Sequence, residues 1–104
     1  MSRIVSVYAV FADADEAQRI ARAVVEERLA ACANIFRPCR SVYRWQGAVE
    51  EADEVAVLFK ARGDKAEALT ARIAALHSYD VPAIAVWPID NAWPAYADWV
   101  EAEG

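Results

Sequence analysis

A chain of 104 residues with 58% hydrophobic and 26% charged side chains suits one folded domain that buries roughly two-thirds of its unfolded surface without staples. Three glycines and four prolines exclude low-complexity and disordered stretches. Sixteen acids against eleven Lys and Arg give a net charge of -5 with no basic cluster, which argues against a nucleic-acid partner.

In chain order, Met1-Ser2-Arg3 leads without a cleavage site into the apolar run from Ile4 to Phe11, which is too short to span a membrane. A central strand is expected there, in a cytoplasmic protein with no membrane partner. Asp13 with Glu16 three positions later is the carboxylate variant of a capping box and predicts a helix start. Ala17, Ile20, Ala21, Val24, Val25 and Leu29 then repeat at three-to-four spacing, the apolar stripe of a helix that packs on a sheet.

Two β-rich runs follow, Cys32 to Gln46 and Val55 to Lys60, meeting at Gly47 and the acidic pair Glu50-Glu51, which predicts one long antiparallel hairpin. The first run would extend on the order of 50 Å, against a usual strand of about five or six residues. A small sheet cannot cover that length. Tyr43 and Trp45 on one face and Val42 and Arg44 on the other would stand bare in water, so the hairpin reads as an arm that pairs with other subunits. Arg44 is expected to form a cross-strand ion pair with the acids opposite. Cys32 and Cys39, seven apart, fall on opposite faces of a regular strand and are expected as reduced thiols.

Gly63-Asp64 marks a second helix start, with Ala66, Leu69, Ile73 and Leu76 as its stripe up to His77. Val81 to Trp87 reads as an edge strand because of its prolines, and Asn91-Ala92-Trp93-Pro94 as a turn into a short helix from Ala95 to Glu101. The order βαββαβ plus a C-terminal helix is the ferredoxin-like α+β sandwich, with both main helices on one face of an antiparallel sheet, in a single domain over 1–104.

Five blocks carry a family resemblance: Glu27 to Ile35, Ser41 to Gly47, Glu50-Glu51, Lys60 with Arg62, and His77-Ser78-Tyr79-Asp80-Val81-Pro82-Ala83-Ile84. In order and spacing they resemble the CutA divalent-cation tolerance family almost end to end. The resemblance implies a homotrimer similar in plan to PII signalling proteins, long hairpin arms that pair between subunits, and a link to binding and tolerance of divalent metals, copper above all. Eukaryotic relatives are linked to anchoring of a membrane enzyme. The chain departs from the family pattern at Arg37-Pro38, at Cys39, at Ser78 where proline is usual, and at Ala61 where threonine is common.

His77, the only histidine, either ligates copper or zinc as a neutral imidazole or caps the end of its helix. Cys32 is either a small buried hydrophobe or, as a thiolate, a ligand for soft Cu(I). One histidine cannot close a metal site in one subunit, so His77, Cys32 and Asp80 are the candidate donors of a site shared between copies. Lys60 and Arg62, two apart on one strand face, are candidates with Tyr79 for an anion cleft between subunits, or they pair with Glu50, Glu51 or Asp53. Tyr43, Arg44 and Trp45 are the expected trimer interface. Nothing places a nucleophile beside a base, and the glycines at 47, 63 and 104 form no phosphate loop, so no enzymatic activity and no required cofactor are expected. The expectation is a cytoplasmic homotrimer that binds Cu(II) or another divalent metal. The alternatives are a PII-like sensor of a small anion and a trimeric protein-interaction scaffold.

Overall fold

The computed structural model describes residues 3–104. Eight residues in strand β1 (Ile4–Phe11) run into helix α1 (Ala14–Glu26), then a hairpin of β2 (Cys32–Trp45) and β3 (Ala48–Arg62), helix α2 (Ala66–Leu76), strand β4 (Ile84–Ile89) and helix α3 (Pro94–Glu103). The sheet order is β2-β3-β1-β4 with antiparallel pairings throughout, the ferredoxin-like arrangement read from the sequence.

Alternation along each strand divides the sheet into two faces. Val5, Val7, Ala9 and Phe11 with Val55, Val57, Phe59 and Ala61 face the helices, where Ala17, Ile20, Val24, Leu69 and Ile73 close a continuous core. The opposite face carries Tyr8, Leu58, Lys60, Asn34, Phe36 and Trp87 and is covered only at one end. There Ala97 and Val100 of α3 pack on Ile4 and Ala31. Phe36 and Trp87 are about half exposed, although Trp87 stacks on Tyr8 with ring centroids 5.5 Å apart.

The Asp13 carboxylate accepts the Glu16 N–H at 2.8 Å, the expected cap. The Glu16 carboxylate reaches past the N-cap residue to the Ala12 N–H at 3.1 Å. β4 begins three residues later than the sequence suggests and includes Pro88. An edge strand tolerates a proline because only one of its sides must supply ladder bonds.

The hairpin turns at Gln46 and Gly47, both with positive φ (49° and 83°), the geometry of a tight two-residue turn. β1 pairs with β3 only from Val55 onward, so the rows from Cys39↔Glu54 to Trp45↔Ala48 overhang the sheet by about 24 Å at 3.4 Å per residue. The register corrects the expectation for Arg44. It stands opposite Val49 and touches only the Gly47 carbonyl, while Arg40 makes the cross-strand ion pairs, to Asp53 at 3.0 Å and Glu51 at 3.3 Å. A two-residue turn and an irregularity between Phe36 and Cys39 set this alignment.

Candidate functional site

The candidate residues fall into three separate places. At the end of α2, the buried His77 leaves the helix and turns its ring against β1. Its Nε2–H donates to the Val10 carbonyl at 2.7 Å, and its Nδ1 accepts the Tyr79 N–H at 3.0 Å. The ring stacks on Phe11 with centroids 4.8 Å apart and lies equally near the Tyr79 ring. This bonding fixes a neutral tautomer with both nitrogens engaged, so neither offers a lone pair to a cation in this conformation. The capping alternative is also modified: the ring ties the helix end to a β1 carbonyl 67 positions away rather than to its own helix.

Glu16 completes this corner. It is 4% exposed and its second oxygen accepts the Ser78 N–H at 2.8 Å. Burial pushes its pKa up, but the bonds from Ser78 and Ala12 outweigh that and hold it below the usual carboxylate value. Tyr79 donates its hydroxyl to Glu54 at 2.7 Å, and burial followed by that carboxylate pushes its phenol well up. The capping-box pattern marked Glu16 as a helix-start residue but gave no sign that it joins α1 to the loop after α2. Asp80 follows, exposed, on that same loop.

Cys32 and Lys60 are cross-strand partners on the other face of the sheet. The Cys32 thiol lies 3.5 Å from the Tyr96 hydroxyl of α3, and burial together with that contact pushes the phenol up to about 12. Lys60 donates to the side-chain oxygen of Asn34. Arg62 forks onto Asp64 at 3.0 and 2.9 Å. The third place is the overhang, where Tyr43, Arg44 and Trp45 are exposed, Tyr43 opposite Glu50.

Within one chain the candidate donors stay apart. His77 packs on the helix side of the sheet and Cys32 lies on the other. Among the described residues no group of three or more His, Cys, Asp or Glu side chains within one chain is arranged to hold a metal ion. Lys60 and Arg62 share a face as expected but do not meet Glu50, Glu51 or Asp53. Tyr79 bonds at Glu54, six residues along β3 from Lys60 or about 20 Å, so one chain forms no cleft from the three. A cavity of about 700 Å³ and a smaller one of about 420 Å³ are present, and neither is lined by His77, Cys32, Asp80, Lys60, Arg62 or Tyr79.

A family profile described as CutA1 divalent ion tolerance protein matches residues 5–103. The divalent-cation tolerance protein CutA of Pyrococcus horikoshii is 40% identical over 100 residues, covering 96% of this chain and 97% of that one. The crystal structure of CutA from Xylella fastidiosa superposes with a TM-score of 0.95 at 32% identity, covering 98% of each chain. The structure of a periplasmic divalent cation tolerance protein CutA from Archaeoglobus fulgidus does so with a TM-score of 0.93 at 35% identity, covering 96% of this chain and 97% of that one. Among the described residues no helix is long and apolar enough to cross a membrane.

Proposed function

The chain belongs to the CutA1 divalent ion tolerance family, and on that premise we propose that it serves cation tolerance as a homotrimer that binds copper at donors drawn from more than one copy. The observation that carries this reading is the overhanging hairpin. Seven strand rows have both outer edges unpaired and expose Val42, Tyr43, Trp45 and Val49, a surface that a lone chain would present to water and to any free strand edge. Pairing between copies removes that liability.

The donor chemistry supports a shared site and no closed one. Structural zinc takes four ligands, and one chain offers no such set. Of the three candidates, Asp80 is exposed, Cys32 is half-buried with its thiol beside the Tyr96 hydroxyl, and His77 would first have to give up its bonds to Val10 and Tyr79. A half-buried thiol suits soft copper, and the exposed carboxylate suits a harder divalent ion. Two free cysteines accord with a reducing compartment, the cytoplasm.

The test combines light scattering with calorimetric titration of Cu(II) and Zn(II) into the protein and into Cys32→Ser, Asp80→Asn and His77→Ala. A three-chain mass, with saturable sub-micromolar copper binding weakened by the first two substitutions, is the expected result. A one-chain mass at micromolar concentration defeats the assembly. Weak heat unchanged in all three variants defeats the copper site.

A further inference from the structure

Cys32 and Tyr96 are brought side by side where α3 covers one end of the open sheet face. Cys32 is the first residue of β2, and Tyr96 lies in the first turn of α3, which Pro94 starts. Ala97 and Val100 seat α3 on Ile4 and on Ala31, the residue before Cys32, and Tyr96 packs against the same cluster. The phenol ring also stacks on Trp99, with centroids 6.0 Å apart. Strand and helix thus fix the two side chains relative to each other, while both stay half-buried and open to an incoming ion.

The Tyr96 hydroxyl has one polar neighbour. Among the described residues it meets the Cys32 thiol, 3.5 Å away, and no carboxylate, amide or carbonyl. That separation is also the spacing of two donors on one metal ion. Cations of the zinc class hold sulfur at about 2.3 Å and anionic oxygen at about 2.1 Å, and two such donors at the tetrahedral angle stand about 3.6 Å apart. An ion can therefore touch both atoms with neither side chain displaced. The two atoms select different ions. A thiolate is soft and by itself favours Cu(I), whereas an anionic oxygen is hard and adds a second negative charge against a dication. Binding displaces a proton from each donor, one from the thiol and one from the phenol.

We propose that Tyr96 is a metal ligand alongside Cys32, and that its oxygen turns a site for soft monovalent copper into one for divalent ions. The proposal rests on the Cys32 metal site set out above and adds to it a donor 64 positions away in the same chain. Half of a four-donor shell is then present in each copy, which is what a site shared between copies requires.

The experiment compares the native chain with Tyr96→Phe and Cys32→Ser. Tyr96→Phe keeps the ring that stacks on Trp99 and removes only the oxygen. Zn(II), the redox-inert divalent probe, is titrated by calorimetry in buffers of different ionisation enthalpy, which counts the protons released. Cu(I) is measured anaerobically by competition with a chelator. Tyr96→Phe is expected to weaken Zn(II) by about tenfold or more, to release one proton fewer per ion, and to leave Cu(I) affinity within about twofold, with unchanged circular dichroism. Cys32→Ser is expected to weaken both metals. Equal losses of Zn(II) and Cu(I) in Tyr96→Phe mark a hydrogen-bonding partner of the thiol and overturn the ligand assignment. So does Zn(II) binding no tighter in the native chain than in Tyr96→Phe, or an unchanged proton count. In each of those cases a Cys32→Ser chain that loses metal leaves the Cys32 site standing. Binding unaltered by Cys32→Ser overturns both.

Discussion

Replacing Glu16 with glutamine tests the corner where α1, β1 and the loop after α2 meet. The native carboxylate accepts two backbone N–H groups, from Ala12 at 3.1 Å and Ser78 at 2.8 Å, in a site 4% exposed. The amide keeps one acceptor oxygen and turns its NH2 toward the other donor, leaving that N–H unpaired. An unsatisfied buried donor costs about 1–3 kcal/mol. At about 4–8 °C per kcal/mol for a domain near this size, a central loss of about 2 kcal/mol lowers the melting temperature by about 8–16 °C. The pH dependence follows from the sign of the shift. Since the folded pKa is below the unfolded one, the unfolded state binds the proton more tightly, so the Glu16 contribution is complete above the unfolded value near 4.3. It disappears as pH falls through the lower folded value. Calorimetric melting of both proteins at equal chain concentration, at pH 7, 5 and 3, should show a gap that is constant from 7 to 5 and narrows at 3. A difference under 2 °C at pH 7, or a gap of the same size at all three pH values, refutes the reasoning.

Three further substitutions probe the arm. Arg40→Ala removes ion pairs to Glu51 and Asp53 whose side chains are all more than half exposed, so chemical denaturation should register a loss of no more than about 1 kcal/mol. Gly47→Ala places a side chain at φ 83°, where space is open but the backbone conformation disfavours it. A loss of about 1 kcal/mol is expected, with the subunit circular dichroism retained. Trp45→Ala should weaken assembly more than folding: a dissociation constant at least tenfold higher on dilution, about 1.4 kcal/mol, with little change in the denaturation midpoint of the subunit. An unchanged mass on dilution counts against placing Trp45 at the contact.

Local patterns were enough for the elements. The apolar run at Ile4–Phe11, the stripe from Ala17 to Val24, the capping pair at Asp13 and Glu16 and the glycine at the hairpin tip each act within a few residues, and each element formed where its pattern stood. Element order then limited the topology to the ferredoxin-like one, and strand length alone identified an arm too long for its sheet.

The candidate sites depended on distances that no local pattern encodes. His77 was open between ligand and cap, and a carbonyl of Val10, brought near by the packing of α2 on β1, engaged one nitrogen while a turn back to Tyr79 engaged the other. Strand parity puts Cys32 on the face away from the core helices, while its place at the end of α2 puts His77 among the core aromatics. Arg44 lost its acid partner to Arg40 because register is a property of paired strands: the Gln46-Gly47 turn and the irregularity near Pro38 set which residues stand opposite. The sequence by itself determined elements, fold and family, because periodicity and capping are short-range. Only the tertiary structure decided which polar groups remain available for chemistry, because a side chain's free donors depend on whatever the rest of the chain packs against it.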